Sequence, residues 1–481
     1  MRAGVGTVAA ALAMALLHAG PSSAQTSEAW KHCVNEEKAP PDVQIKGCSA
    51  VIRSGRESSK NLAIAFNNRG NGFHARKDDD RAIADYDEAI NLDPQYAIAY
   101  FNRGIAFAEK RLDDRAIADF DRAIELSPRY ARAYGNRGIV YARKGDLERA
   151  IRDYTDALRF APDSPADYNN RGNAHSARKE FDEAILDYSR ALRIDPQYGI
   201  AYANRGRAYR DKGDLDSALD NFEQAIKYDP DNARSLNDRG NVYHAKKDCV
   251  RAVADYDKAI RLEPKYPFPY NNRGNCRADQ GEQDKAIADY DSAIALDPRY
   301  VDAYVNRGRA YRRKKDYDRA LADLDAALRI RPEYASALAT RAEVYEAKND
   351  FAPAIADYDA LIRLKPGDAT VWNGRCWARA MVGANLNGAL DDCNESLRLK
   401  PNVANTIDSR ALVHLQLGDL DAALADYDKA LGLDPKLAGS LWGRGVVKQK
   451  KGDSGGAEAD FAAARAIKAD MADEWARYNV K

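Results

Sequence analysis

The sequence predicts an all-α protein built from about twelve helix-turn-helix repeats, and three observations carry that prediction. The tripeptide Asn-Arg-Gly recurs at a step of 34 residues, beginning at positions 68, 102, 136, 170 and 204. A proline recurs at the same step, at positions 94, 128, 162, 196, 230, 264, 298, 332 and 366. Between these markers the apolar residues follow the period of an α-helix. Self-similarity at a fixed step of this size indicates stacked repeats.

Each repeat is predicted to hold two helices. Its first half places four residues on one face, at i, i+3, i+4 and i+7: Tyr100, Arg103, Gly104 and Phe107. Its second half does the same with Ala116, Phe120, Ala123 and Ile124. The glycine leaves room for the second helix to approach closely, and the proline ends that helix. Between the helices, Lys144-Gly145-Asp146 shows the expected turn, in which Gly ends one helix and Asp starts the next.

The repeat markers divide the chain into five segments. One extra residue, which delays the next proline to Pro401, belongs in the turn near Gly383 to Gly388. The last segment contributes to a closing helix over Ala469 to Tyr478. The segments are a signal peptide (1–24), an N-terminal helical-hairpin cap (25–62), repeats 1–8 (63–334), repeats 9–12 (335–471) and a C-terminal capping tail (472–481).

The N-terminal cap is predicted from helix start and stop signals. Ser27 to Glu36 suits a helix, Pro40-Pro41 breaks it, and Asp42 is placed to cap a second helix that ends before Gly55. This hairpin has the character of a degenerate first repeat that closes the array.

The N-terminus has the features of a secretory signal. Arg2 precedes a run of small and apolar residues from Val5 to Leu17, and Ser22-Ser23-Ala24 offers a cleavage site after Ala24. The run is short for a bilayer span, and no second one follows. We therefore expect a periplasmic or secreted protein with no membrane span, the alternative being an uncleaved N-terminal anchor.

Composition and motifs exclude several functions. The chain has 481 residues with 74 basic and 74 acidic side chains, so the balance offers no basic surface for nucleic acid. No nucleophile elbow, phosphate loop or metal-ligand spacing stands out, and too few residues lie outside the repeats for a catalytic domain. We expect no enzyme activity, no cofactor and no metal.

The repeat resembles the tetratricopeptide repeat, which has small and aromatic residues at these spacings and a terminal proline. The resemblance covers almost the whole chain after the signal, and it implies antiparallel helix pairs in a right-handed superhelical solenoid with a concave groove. The departure is Arg at repeat position 7, where the family more often has Leu. This variant is similar to one common in bacterial members, here of a secreted or periplasmic type.

Six cysteines in an oxidising compartment favour disulfides. The resemblance places Cys376 and Cys393 where the two helices of one repeat touch, and the N-terminal cap repeats that arrangement. A further pair joins neighbouring repeats. The expected pairs are Cys33–Cys48, Cys249–Cys276 and Cys376–Cys393. The alternative is buried free thiols, which suits Cys249 and Cys276 best.

Position 7 is Arg in all twelve repeats, and position 23 is Asp in eleven; the exception is Asn221. A charge at a packing position needs a partner. We therefore expect an Arg–Asp ladder, within a repeat or between neighbours. The alternative is a row of Arg side chains that binds an anionic ligand.

Position 6 carries the candidate binding residues. The resemblance implies that this position faces the concave groove, as in the asparagine ladders of the O-linked N-acetylglucosamine transferase and importin-α superhelices. An amide both donates and accepts, so it matches a peptide bond. The candidates are Asn68, Asn102, Asn136, Asn170, Asn204, Asn272 and Asn306. The alternative is that these amides bond to their own neighbours.

Other groove positions add further polar groups. The amides at positions 5 and 9 are Asn67, Asn71, Asn169, Asn173, Asn237, Asn241, Asn271 and Asn275, and the added cations are Arg207, Arg210, Arg309 and Arg312. The function we expect is a non-enzymatic protein-protein interaction adaptor or scaffold that holds an extended peptide or a partner protein in the groove. The alternative is a structural scaffold of a cell-envelope assembly, such as polysaccharide export or outer-membrane assembly.

Overall fold

The computed structural model describes residues 28–35 and 38–476. The expected signal peptide (1–24), the start of the cap and the last five residues of the tail lie outside this part of the chain. Within it, every regular element is an α-helix, and the chain divides into two compact units at Pro230 and Asp231. No helix described here is both long and apolar enough to cross a membrane.

The first unit contains the N-terminal cap and the helices up to Tyr228. Its helices are α1 (Glu28–Val34), α2 (Pro41–Ser54), α3 (Ser59–Ala75), α4 (Asp79–Leu92), α5 (Ala97–Glu109), α6 (Asp113–Leu126), α7 (Ala131–Arg143), α8 (Leu147–Phe160), α9 (Pro165–Ala177), α10 (Phe181–Ile194), α11 (Gly199–Lys212) and α12 (Leu215–Tyr228).

The second unit contains the remaining repeats and the C-terminal closing helix. Its helices are α13 (Ala233–Ala245), α14 (Cys249–Leu262), α15 (Pro267–Asp279), α16 (Gln283–Leu296), α17 (Val301–Arg313), α18 (Tyr317–Ile330), α19 (Ala335–Ala347), α20 (Phe351–Leu364), α21 (Ala369–Val382), α22 (Leu386–Leu399), α23 (Ala404–Leu417), α24 (Leu420–Leu433), α25 (Ala438–Lys450), α26 (Ser454–Ile467) and α27 (Met471–Trp475).

Within each unit, consecutive helices pack in pairs, and each pair packs on the next. The glycine at position 8 makes the closest approach inside a pair. A Cβ on Gly104 would lie 2.8 Å from a ring carbon of Phe120, and one on Gly138 would lie 2.9 Å from Tyr154. Both rings are buried. The predicted helix-turn-helix repeats are confirmed, and this contact explains why a residue without a side chain stands at that position.

The turns inside the repeats require a backbone that glycine favours. Gly145 and Gly213 have φ of 82° and 94°, as the sequence predicts. Lys77 and Lys247 occupy the same turn position with φ of 62° and 64°. The turn therefore has the same backbone conformation whether its residue is glycine or lysine, although only glycine predicts that conformation from the sequence.

The N-terminal cap differs in detail from the expectation. Helix α2 begins at Pro41 after Pro40, and Asp42 lies in its first turn instead of capping it. The Asp42 carboxylate accepts a hydrogen bond from Arg76 at 2.6 Å. Proline suits the first helical position because the amide it lacks would have no intrahelical partner there. At the other end, Met471 and Trp475 of α27 are buried against the last repeats, as expected for a closing helix.

Candidate functional site

The first helices of successive repeats lie side by side, and they form one face of each unit. In the first unit α3, α5, α7, α9 and α11 contact one another in sequence, as α13, α15, α17 and α19 do in the second. We call this the first-helix face. Repeat position 6 lies on it, so the structure brings the candidate asparagines of neighbouring repeats close together within each unit.

Most of these asparagines bond to another asparagine of the same unit. The side-chain N–H of Asn102 donates to Oδ1 of Asn67 at 2.9 Å, and Asn204 donates to Asn169 at 2.7 Å. The second unit shows the same pattern, in which Asn272 donates to Asn237 at 3.0 Å and Asn306 to Asn271 at 3.0 Å. The acceptor stands 35 residues earlier each time, at position 5 of the preceding repeat.

The acceptors at position 5 are the most buried members of this network. Asn67, Asn169, Asn237 and Asn271 are only 1%, 4%, 4% and 3% exposed. A buried amide must find hydrogen-bond partners, and the position 6 amide of the next repeat supplies one. Position 5 was expected to line the groove, and the structure shows these four amides buried and bonded to the position 6 amide of the next repeat. The available signal was the dipeptide Asn-Asn at 67, 169 and 271, followed by Asn 35 residues after its first member.

A second set of amides accepts hydrogen bonds from buried tyrosines. The Tyr86 hydroxyl donates to Asn71 at 2.9 Å, and the Tyr256 hydroxyl donates to Asn241 at 2.9 Å. Asn272 also donates to Asn241, at 2.9 Å. Position 9 therefore anchors the tyrosine of the second helix, and these tyrosines belong to the core, as the sequence indicates.

Two candidate asparagines stand apart from the network. The Asn136 side chain donates to the backbone carbonyl of Arg132, one turn earlier in the same helix, at 2.9 Å. The side chain of Asn170 makes no hydrogen bond to any residue that the structure describes. Both are half-buried on consecutive repeats. The seven candidates therefore divide into five that bond to other asparagines, Asn68 among them through Asn67 at 3.2 Å, and two that do not.

The position 7 arginines form the expected ladder with aspartates. Arg137 donates through Nε and Nη2 to the two carboxylate oxygens of Asp153 at 2.8 and 2.7 Å. Its Nη1 reaches back to Asp121 of the preceding repeat at 2.5 Å. Arg103, Arg273, Arg307, Arg341, Arg375 and Arg444 repeat this three-contact pattern. Paired charges of this kind are structural, which argues against an anion-binding row at these positions.

The added cations also have partners. Arg309 donates to Ser336 at 2.7 Å and to Thr340 at 3.2 Å, and Arg312 pairs with Glu343 at 3.1 Å. Arg207 contacts Asn204, and Arg210 contacts Asp211. Each of these four arginines therefore has at least one polar partner within its own unit.

Two of the three expected cysteine pairs lie at disulfide distance. The Sγ atoms of Cys33 and Cys48 are 2.15 Å apart, and those of Cys376 and Cys393 are 1.99 Å apart. The second bond joins positions 8 and 24 of one repeat, where other repeats have the glycine and aromatic contact. All four residues are fully buried.

The expected Cys249–Cys276 disulfide is wrong for this structure, in which both residues are free thiols. Cys249 begins α14 and Cys276 lies in α15, so the two residues are neighbours as expected, and a third side chain, His244, lies beside them. The sulfur atoms and a ring nitrogen of His244 all lie within 4.8 Å of one another. Sequence spacing did not reveal this group because its members come from two repeats.

Profiles described as "TPR repeat" match residues 70–110, 206–247, 274–315 and 411–452. Profiles described as "Tetratricopeptide repeat" match 97–130, 114–165, 165–198, 233–266, 255–288, 301–334 and 335–368. With the helix pairs described above, these matches make the chain a member of the tetratricopeptide-repeat family. No curated protein matches the sequence at a significant level.

Three solved structures are similar to parts of this chain. YrrB, "a TPR protein with an unusual peptide-binding site", is 27% identical over 39% of this chain and 97% of its own, with a TM-score of 0.32. MamA is 25% identical over 34% of this chain and 96% of its own, with a TM-score of 0.33. A chain of the APC/C hetero-tetramer Cut9-Hcn1 is 15% identical over 86% of this chain and 95% of its own, with a TM-score of 0.44. The repeat matches, and not these partial superpositions, place the chain in the family.

Proposed function

We propose that this chain is a non-enzymatic adaptor that binds an extended segment of a partner protein on the first-helix face of its first unit. Stacked helical repeats typically use an extended surface of this kind to bind other proteins. The observation that carries the proposal is the pair Asn136 and Asn170. These are the two candidate amides that the asparagine network leaves unused, and they stand on consecutive repeats.

The spacing of the repeats suits an extended peptide. Packed helices lie about 8–10 Å apart, and three residues of an extended or polyproline-like chain span about 9–10 Å. Every third peptide group of a bound segment can therefore meet the next repeat. An amide side chain donates to a carbonyl and accepts from an N–H, so contact through the main chain gives affinity with modest sequence selectivity.

The proposed location is extracytoplasmic. Two buried cysteine pairs at disulfide distance fit an oxidising compartment, where such bonds form and persist. The secretory signal expected at residues 1–24 supports the same location. The bacterial secreted or periplasmic type is part of this proposal.

The test is binding of peptides selected from a random library by the full-length chain. The double variant Asn136→Ala/Asn170→Ala should weaken binding of the selected peptides by at least 10-fold, since each lost hydrogen bond contributes about 1 kcal/mol. Its midpoint of thermal unfolding should stay within about 2 °C of the wild type.

The matched control is Asn204→Ala. Asn204 is 7% exposed and bonded to Asn169, so its loss should lower stability with no greater effect on peptide affinity than the stability change explains. Unchanged peptide affinity in the double variant would contradict the proposal. That result would favour the alternative scaffold role, such as one in polysaccharide export or outer-membrane assembly, with contacts elsewhere on the chain.

A further inference from the structure

One group of side chains in the second unit has no role in the fold or in the proposed binding face. It consists of His244 in the last turn of α13, Cys249 at the start of α14 and Cys276 in α15, which we call the His-Cys-Cys cluster. The three ligand atoms lie within 4.8 Å of one another. Cys276 is fully buried, while His244 and Cys249 are half-buried.

The geometry points to a zinc site in which the ring of His244 and the thiolates of Cys249 and Cys276 bind one Zn²⁺ ion. Imidazole nitrogen and thiolate sulfur are the ligands that zinc prefers, at about 2.1 and 2.3 Å. Ligands at those bond lengths in a tetrahedron lie about 3.6–3.8 Å from one another. The cluster therefore needs to contract by at most about 1 Å, within the reach of side-chain rotation.

The surroundings of His244 match those of a metal-binding histidine. Its Nε2–H donates to Oδ2 of Asp279 at 2.8 Å. A carboxylate in this position fixes the tautomer and leaves the other ring nitrogen with its lone pair. Asp279 lies on α15, the same helix as Cys276, so one helix supplies both a ligand and the group that orients another ligand.

Cys249 is the first residue of α14 and lies next to the turn that follows α13, the helix that carries His244. Two thiols must lose their protons for the ion to bind, so one Zn²⁺ replaces two protons. The three protein ligands leave a fourth position for water or for a group from a partner.

Comparison with the other repeats of this chain shows what the cluster replaces. Cys276 stands where Ala174, Ala208 and Ala310 are buried. Cys249 stands where other repeats begin the second helix with an apolar residue, as in Leu147, Phe181, Leu215 and Tyr317. Small or apolar residues are therefore compatible with the fold at both places, and the sulfur atoms are not required for packing.

The zinc content of the full-length chain, purified without a thiol reductant and then saturated with ZnCl₂ and desalted, tests the proposal. We expect one zinc per chain, measured by plasma mass spectrometry, and two thiols that react only after zinc is removed. The variants Cys276→Ala and Cys249→Leu restore residues of other repeats and should fold, yet each should lower zinc affinity at least 100-fold in competition with a chromophoric chelator. Asp279→Asn should lower it 10- to 100-fold.

The matched control is His74→Ala. His74 occupies the same repeat position as His244 and also bonds to a carboxylate, through Nδ1 to Asp79 at 2.7 Å, but no cysteine belongs to that site in the part of the chain that the structure describes. The zinc affinity of His74→Ala should equal that of the wild type, whereas the zinc affinity of His244→Ala should fall at least 10-fold. Two results would overturn the proposal: a Cys249–Cys276 disulfide in the purified chain, or zinc binding that survives Cys276→Ala unchanged.

Discussion

Two arginines of the first unit, Arg137 and Arg205, occupy the same repeat position but differ in the charge of the groups around them. Arg137 contacts two carboxylates, from Asp153 and Asp121. Arg205 meets neutral groups instead: its Nε donates to Oδ1 of Asn221 at 2.7 Å and its Nη1 to the Ser189 hydroxyl at 2.9 Å. No carboxylate in the described part of the chain lies within ion-pair distance of Arg205.

The difference appears in the pKa values of the two guanidinium groups. Burial lowers the pKa of Arg205, and no carboxylate opposes that effect. Burial acts in the same direction on Arg137, but the hydrogen bonds and charges of Asp153 and Asp121 outweigh it and raise the pKa. Both groups stay cationic at neutral pH. Position 7 can therefore keep hydrogen bonds to the same two repeat positions when neither carries a carboxylate. The two helices of the repeat pack together in either case.

The largest effect is expected from making the Arg137 site resemble the Arg205 site. The double variant Asp121→Ser/Asp153→Asn leaves a half-buried cation without a carboxylate partner, so the free energy of unfolding should fall by about 2 kcal/mol. Urea unfolding followed by circular dichroism measures it. Asp163→Asn, at an exposed position, is the control, and a loss no larger than that of the control would show that the ladder does not stabilise the repeat.

A smaller effect of opposite sign is expected from the reverse change. Asn221→Asp places a carboxylate at the oxygen that already accepts from Arg205, so the free energy of unfolding should rise by about 1 kcal/mol. Asn221→Ala, which removes the acceptor, should lower it by a similar amount. If the aspartate variant is less stable than the wild type, the lost donation from the Asn221 amide to the Ser217 carbonyl (2.7 Å) outweighs the ion pair.

The smallest effect concerns anions. Because Arg205 lacks a counter-charge, sodium sulfate should stabilise the wild type by a few tenths of a kcal/mol more than it stabilises Asn221→Asp, compared with sodium chloride at matched ionic strength. Differential scanning calorimetry on the two chains provides the comparison. An equal gain in both would mean that sulfate acts only by exclusion from the protein surface.

The sequence predicts the fold because each repeat carries its own signals. Gly104 and Phe120 mark the close contact, and Asp146 marks a helix start by accepting from the Arg149 amide at 3.0 Å. Lys247 has positive φ in the turn, but a lysine can equally continue a helix, so this turn could not be predicted from its residue type. The Arg–Asp ladder was predictable since a buried charge requires a partner. Its second contact, 16 residues back, was not predicted, because it joins the arginine to position 25 of the preceding repeat and not to position 23.

The candidate site was less predictable because its contacts join different repeats. Each asparagine alone is compatible with a groove ligand or with a neighbouring amide, and the structure assigns Asn102 and Asn204 to neighbouring amides. The His-Cys-Cys cluster likewise depends on how α13, α14 and α15 pack. Periodicity identifies equivalent positions, but it does not identify which non-equivalent positions of adjacent repeats meet.

The position 7 arginine contacts the preceding repeat, and this contact limits how such a chain can gain or lose residues. Arg103 and Arg137 each bond to the aspartate 16 residues later in their own repeat and to the aspartate 16 residues earlier in the preceding repeat. Duplication or loss of one whole repeat inside a unit would therefore leave each position 7 arginine facing the same two repeat positions. A change by another number of residues keeps the ladder only where a turn absorbs it, as it does between Arg375 and Asp392, which are 17 residues apart and still paired. The ladder thus permits growth and shrinkage of the chain in whole repeats.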